Sequence, residues 1–328
     1  MNSVPVSKNI PVLSVIVITY NHEKYIRQCI TSILEQKTDF RFEIIIADDF
    51  SKDKTREICK ELENKHSEKV RLLFQKQNVG LMKNYLSVLK LCKGKYIAQI
   101  AGDDYFTDPE KLQKQKDYLQ AHPEVGLVFT DCDFFYERTG VTERSVFSTG
   151  TKRYTKSFEE HIAEKGFLAP MTWMYRAELS PLSFGYVQDY TDESFPYILD
   201  IFKHSNIHFL QQSTAVRRVQ ENSISHQSDS QRKFAYMKGV FDIQKEYAEK
   251  YKITPALKDV VFSKSYIQLL PLALQTEQKI FLEEAKNFFE AKNISYNALL
   301  ALCNSYIYQQ KLSGNAINKM YLKMRKYF

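Results

Sequence analysis

Three apolar runs of strand length, each breaking off into acids or amides, set the tightest limit on what this chain can fold into. Val12 to Thr19 is continuous and rich in β-branched residues, and Phe42 to Ala47 and Tyr96 to Ile100 read as further strands. Runs of this kind form strands buried on both faces, as in parallel sheets covered by helices. Helical stripes lie between them. Tyr25, Ile26, Cys29, Ile30, Ile33 and Leu34 fall on one stripe, and Ile58 and Leu62 on another that Ser51 or Asp53 can cap. Val70 to Phe74 reads as a strand and Leu81 to Cys92 as a helix capped by Gly94. Pro109 starts a further helix, and Val125 to Thr130 is a fifth strand. The alternation predicts an α/β fold with right-handed crossovers.

In such sheets, ligands bind beyond the carboxyl ends of the strands. The first strand ends at Thr19-Tyr20-Asn21, the second at Asp48-Asp49 and the fourth at Gly102-Asp103-Asp104, so three polar clusters converge on one edge. Adjacent carboxylates such as Asp103 and Asp104 repel each other. A divalent cation relieves that repulsion, and Mg²⁺ or Mn²⁺ takes one or two carboxylates together with substrate phosphates. A departing diphosphate needs such a cation as its charge builds up. The plainer alternative is a solvated turn before the helix at Asp108-Pro109. Asp48-Asp49 can accept hydrogen bonds from a base N–H or from ribose hydroxyls, although Asp is also common in turns.

The chain has 328 residues, of which 44% are hydrophobic, enough for a large core and an appendage. We divide it at residue 225, with an α/β domain over 1–225 and a helical region over 226–328. A net charge of +7, spread along the chain, suits phosphorylated ligands or an anionic membrane surface and does not call for nucleic acid. The cysteine count is odd, at five, without metal-ligand spacing, which reads as free thiols in a reducing cytoplasm. No apolar run reaches the roughly 18 residues of a membrane span. Ile10 to Thr19 is read as a buried strand and not as a signal-peptide core, since no small-residue cleavage site follows.

The segments Ser14-Val15-Ile16-Val17-Ile18-Thr19-Tyr20-Asn21, Ile44-Ile45-Ile46-Ala47-Asp48-Asp49-Phe50-Ser51, Asn78-Val79-Gly80 and Ala101-Gly102-Asp103-Asp104 resemble, in order and spacing, the family 2 glycosyltransferases of the GT-A fold. The resemblance covers roughly residues 10–225. It implies a GT-A-like (Rossmann-like), mixed, mainly parallel sheet with flanking helices. It also implies metal-dependent, inverting transfer of a sugar from a nucleotide-sugar, usually a UDP-sugar, to a glycan or lipid-linked acceptor. The setting implied is assembly of a bacterial surface polysaccharide, such as a capsule, at the cytoplasmic face of the membrane. By the same resemblance Thr19, Tyr20 and Asn21 line the nucleotide site and Asp49 contacts the base. Asp103 sits by the ribose or the metal, Asp104 binds Mn²⁺ or Mg²⁺, and Asn78, Gly80 and Lys83 flank the donor. There are departures. Phe50 stands where the family usually has Gly, and the metal motif reads Gly-Asp-Asp. A true Asp-x-Asp, Asp131-Cys132-Asp133, is read as structural from its spacing.

An inverting transfer needs a base for the acceptor hydroxyl. The matching stretch is Gln188-Asp189-Tyr190-Thr191-Asp192-Glu193, in which Asp192 aligns best and Asp189 and Glu193 are alternatives. Helix capping is the other use for these acids. Arg217 or Arg218 resembles the family's arginine near the diphosphate, or is surface charge. Trp173, the single tryptophan, matches a segment that forms the acceptor floor, or is a core residue. His22, His161, His204 and His208 have no ligand spacing and receive no metal role. The tail from Asn315 to Phe328 places Ile317, Met320, Tyr321 and Met324 among basic residues, as a peripheral membrane-surface helix or as one that packs on the helical region. Two rivals are carried: a degenerate relative kept for binding or scaffolding, and a sugar-phosphate nucleotidyltransferase, for which the Gly-rich phosphate loop is missing. A dinucleotide oxidoreductase is excluded because the chain has no G-x-G-x-x-G.

Overall fold

The computed structural model describes residues 10–185, 190–220 and 229–301. The chain divides into two compact units, Met1–Phe158 with Gly166–Gln220, and Glu159–Lys165 with Glu221–Phe328. The first unit opens with β1 (Leu13–Thr19), α1 (Ile26–Leu34), β2 (Phe42–Asp48), α2 (Thr55–Lys65), β3 (Val70–Phe74), α3 (Leu81–Leu89) and β4 (Tyr96–Ala101). The strands lie in the order β3-β2-β1-β4, all parallel. Every residue of β2 is buried, its apolar residues in the core and its two acids, Glu43 and Asp48, hydrogen-bonded to Ser14 and to Ser51 and Arg56. One stripe of α1, made by Ile26, Cys29, Ile30 and Ile33, is fully buried in the same core.

The sheet continues with β5 (Tyr105–Phe106), β6 (Val125–Tyr136), β7 (Val141–Glu143), β8 (Met174–Arg176) and β9 (Asn206–Val219). Between them run α4 (Lys111–Ala121), α5 (Phe158–Glu164) and α6 (Ser194–His204). The strand order beyond β4 is β8-β6-β9-β5, with β7 paired to β6. β6 and β9 pair in parallel over their length, whereas each antiparallel ladder holds two or three residue pairs. The sheet is therefore mixed and mainly parallel, with flanking helices.

Two expectations change. The fifth strand, expected over Val125 to Thr130, runs on to Tyr136. The helix expected to end at Gly94 ends at Leu89, and Gly94 serves close approach of strands. A Cβ there would lie 2.4 Å from the Ser14 nitrogen and 2.7 Å from the Tyr96 oxygen.

The second unit is helical, with α7 (Ser230–Lys250), α8 (Pro255–Gln275) and α9 (Lys279–Glu290) around Phe241, Ile267, Leu270, Phe281 and Phe289. Within it, Gln244 donates to the Ile162 carbonyl of α5 at 2.5 Å and accepts from Ser265 at 2.6 Å, so its buried amide is satisfied. Among the described residues Cys29, Cys59, Cys92 and Cys132 are free thiols, and no helix is long and apolar enough to cross a membrane. The tail from Asn315 lies outside the described residues.

Candidate active site

Strand register brings the three polar clusters level. Thr19 of β1 is opposite Asp48 of β2, and Ile18 is opposite Ala101 of β4. The pairing runs one step past the strands, with Asp49 donating its N–H to the Thr19 carbonyl at 3.0 Å and Gly102 to Ile18 at 2.8 Å. The sheet edge therefore carries Thr19, Asp49 and the 102–104 turn side by side.

The loop after β1 is stitched to the loop after β2. Asn21 N–H donates to Ser51 Oγ, His22 N–H to Thr55 Oγ1 and Glu23 N–H to Asp53, at 2.8–3.0 Å. Lys52 and Lys54 N–H return bonds to the Asn21 and Glu23 side chains. Asn21 adopts φ 57°, a left-handed conformation that Asn tolerates. Tyr20 is exposed beside it. Asp48, fully buried, anchors the partner loop by accepting from Ser51 N–H at 3.1 Å, from Ser51 Oγ and from Arg56. Arg56 in turn lies between the Phe50 and Phe74 rings, with centroids 5.1 and 4.9 Å away. Phe50 has φ 68°, so the position keeps the left-handed turn that glycine would make, at a backbone cost of about 1–2 kcal/mol. Its ring packs against Arg56 and lies 3.4 Å beneath the Lys52 ammonium.

Asp49 faces the start of α3. Its two oxygens accept from Val79 N–H at 2.7 Å and Gly80 N–H at 2.9 Å, while Asn78 Nδ2 donates to the Asp49 carbonyl at 3.2 Å. Asp49, Asn78 and Gly80 are thus one hydrogen-bonded unit, with Gly80 at φ 87°. Lys83 is on the exposed side of α3.

Asp103 and Asp104 occupy the turn after β4. Asp104 is 8% exposed and accepts the Arg218 backbone N–H at 2.9 Å. Burial, followed by the neighbouring Asp103 charge, pushes its carboxyl well above the usual range. Asp103 is more open and accepts from Gln220 Nε2 at 3.0 Å. His22 Nε2 lies 4.0 Å from the same Asp103 oxygen, and its Nδ1 is 3.2 Å from Thr19 Oγ1. The pair fits a hard divalent cation, since burial and the neighbouring charge disfavour the ionised form of Asp104 and added positive charge favours it. Among the described residues no cluster of three or more His, Cys, Asp or Glu side chains suits a metal, so phosphate and water oxygens would complete the shell.

Arg218 is placed differently from either expected role. Its guanidinium sits over the Tyr25, Tyr105 and Phe135 rings, with centroids 5.1, 4.9 and 5.9 Å away. It pairs with Glu137 at 3.7 Å and donates to Gln28. Tyr25, which also donates to Glu137, has its hydroxyl pushed up to about 12 by burial. The arginine thus locks its own backbone N–H against Asp104. Asp131 and Asp133 are held within their own segment of the fold. Asp131 accepts from Cys132, Phe147 and Ser148 N–H, and Asp133 from Ser145 N–H and Ser213 Oγ.

Asp192 precedes α6. Its Oδ1 accepts from Ser194 N–H at 2.9 Å, Ser194 Oγ at 2.7 Å and Phe195 N–H at 2.9 Å, which fixes the carboxylate at the helix start. Glu193 is raised to about 7 by burial and then by Asp192. Asp189 lies outside the described residues. Trp173 requires a correction. It is 1% exposed and packs on Tyr197, with ring centroids 5.9 Å apart, so it offers no open face for an acceptor sugar. It directly precedes β8, whose three residues are all buried, and shares that strand's place in the core. Gln220 joins the site from far along the chain with no sign in the spacing, Arg218 joins through its backbone N–H, and His22, next to Asn21, joins through its approach to Asp103. The one local signal is Gly102, where a Cβ would come within 2.9 Å of Thr19, His22 and Ile26 side-chain atoms.

The sequence model of Glycosyl transferase family 2 matches residues 14–180, just over half of the chain. An uncharacterized protein of Mycobacterium tuberculosis is 40% identical over 125 residues, 38% of this chain and 36% of its own length. The putative teichuronic acid biosynthesis glycosyltransferase TuaG of Bacillus subtilis is 33% identical over 109 residues, 33% of this chain and 42% of its own. The chain thus spans less than half the length of either relative. Among solved structures, residues 1–349 of S. aureus TarS in complex with UDP-GlcNAc superpose with a TM-score of 0.60 at 19% identity, covering 96% of this chain and 91% of that one. The mannosyltransferase PcManGT of Pyrobaculum calidifontis, in complex with GDP-Man and Mn²⁺, gives 0.58 at 18% identity, covering 96% and 87%. These two likenesses show a shared GT-A-like fold.

Proposed function

Because the chain belongs to glycosyl transferase family 2, we propose that it moves a sugar from a UDP-sugar onto a hydroxyl of a glycan or lipid-linked acceptor, with inversion, in bacterial surface-polysaccharide assembly at the cytoplasmic face of the membrane. The observation that carries this reading is the Asp103–Asp104 pair, held at the sheet edge level with Thr19 and Asp49. The nucleotide-sugars bound by TarS and PcManGT and the naming of TuaG support it.

Bound Mn²⁺ or Mg²⁺, held by Asp104 with Asp103 beside it, would stabilise the charge that develops on the leaving diphosphate. The loop of Thr19, Tyr20 and Asn21 receives the nucleotide, and its bonds to the loop after β2 fix its shape before the donor arrives. Asp49 holds the Asn78–Gly80 turn beside the base and meets the base with its remaining lone pairs. Asp192 takes the proton of the acceptor hydroxyl as the oxygen attacks the anomeric carbon. The bond to the diphosphate breaks on the opposite side, and its electron pair leaves with the phosphate. The helix-start bonds on Oδ1 orient Asp192 for that transfer. Glu193 is the rival base, because a carboxyl near 7 suits neutral pH.

The test is release of UDP from a panel of UDP-sugars with Mn²⁺ and candidate acceptors. Asp192→Asn, which keeps an acceptor for the helix start, is expected to lose about 10²–10⁴ in kcat, while Glu193→Gln keeps most of it. The opposite ranking moves the base to Glu193. If no nucleotide-sugar is consumed by the wild type, the catalytic reading fails in favour of a binding role.

A further inference from the structure

His22 is an unassigned side chain of the donor site, and its surroundings define what it can read. The residue is pinned at three points. Its backbone N–H bonds Thr55 Oγ1 at 2.8 Å, its Nδ1 is 3.2 Å from Thr19 Oγ1, and its ring edge packs on Tyr25. Gly102 leaves room for it, since a Cβ there would stand 2.9 Å from Nδ1. The side chain is 20% exposed, and Nε2 faces Asp103 Oδ2 at 4.0 Å. That gap is too long for a direct hydrogen bond. It is the right width for one oxygen placed about 2.8 Å from each atom.

The chemistry of the two walls selects that oxygen. The Asp103 carboxylate favours the ring proton on Nε2, so Nδ1 accepts from the Thr19 hydroxyl and Nε2 donates across the gap. The bridging group must then accept from His22 and donate to Asp103. A hydroxyl does both. A phosphate oxygen only accepts, and the carboxylate would repel it.

We propose that His22 and Asp103 form a hydroxyl-reading pair for the ribose of the donor nucleotide, so that the enzyme selects ribonucleotide-sugars over deoxyribonucleotide-sugars. This rests on the nucleotide-sugar reading of the site. His22 acts on specificity and takes no part in bond breaking.

The experiment is calorimetric titration, with Mn²⁺, of UDP, 2′-deoxy-UDP and 3′-deoxy-UDP into the full chain, with GDP and its deoxy analogues run in parallel. The wild type is expected to bind one deoxy analogue roughly tenfold more weakly than its parent. In His22→Phe that ratio shrinks by roughly fivefold, because the parent loses affinity and the analogue does not. His22→Gln, which returns an N–H donor near the Nε2 position, restores most of the discrimination and guards against a folding defect in the Phe variant. An equal loss for parent and both deoxy analogues makes His22 a loop support only and overturns the proposal. Undiminished discrimination in His22→Phe also overturns it. Both of these outcomes leave the nucleotide-sugar reading intact, whereas a wild type that binds neither UDP nor GDP removes both.

Discussion

Lys111 lies fully inside the first unit, 1% exposed, with its ammonium 2.6 Å from Gln115 Oε1 and 4.4 Å from the centre of the Phe106 ring. Burial lowers its pKa from the lysine range to about 7. An unfolded chain keeps that proton up to about pH 10.4, so between these limits the unfolded state binds the extra proton and stability rises with pH. Below pH 7 both states are protonated and the contribution is flat. Lys111→Met should therefore narrow the dependence. The wild type should gain on the variant by about 2–4 kcal/mol between pH 7 and 9.5 in urea unfolding. A difference that stays constant with pH would mean that Lys111 is charged in the fold. At this scale the acids of the site were legible in sequence, because Asp48-Asp49 and Asp103-Asp104 follow strand-like runs directly. Gln220 was not, because it acquires its place through a contact with a residue 117 positions away, and the part of His22, although it adjoins Asn21, shows only in its approach to Asp103. Of the two readings of Trp173 its burial favours the core residue over the acceptor floor, and the short buried strand that follows it leaves no periodic signal by which to choose.

The strands that carry the donor edge were equally legible, because β1, β2 and β4 are buried on both faces and their composition says so. The half of the sheet beyond β4 was not. β8 has three residues, and β9 mixes exposed, intermediate and buried positions with no strict alternation. Two glycines at element boundaries separate the physical reasons for a glycine. Gly80 has φ 87° and ψ 158°, a region that is almost exclusively glycine's, and open space around its Cβ position, so Gly80→Ala costs only backbone strain, about 1–3 kcal/mol. Gly94 has ordinary φ, but a Cβ would strike the backbone of Leu13, Ser14 and Tyr96, which has no flexible end to move aside. Gly94→Ala is expected to cost more, about 3 kcal/mol or above, since it forces β1 and β4 apart. Denaturation midpoints of the two variants check the order, and a smaller loss at Gly94 would contradict the packing described for the donor edge.

The molecule as a whole joins a sheet unit to a helical unit, each with its own apolar cluster. The proposed donor residues Thr19, Asn21, Asp49, Asp103 and Asp104, with His22 and Arg218, all belong to the sheet unit. The central claim is that this sheet edge binds a nucleoside diphosphate through a divalent cation held at Asp104. Calorimetric titration of UDP into wild type and Asp104→Ala, with and without Mn²⁺, tests it most directly. The account predicts binding that strengthens with Mn²⁺ in the wild type and is lost in Asp104→Ala, with the variant's fold retained. UDP binding that ignores both the metal and the substitution would contradict it, as would a wild type that binds none of UDP, GDP or dTDP.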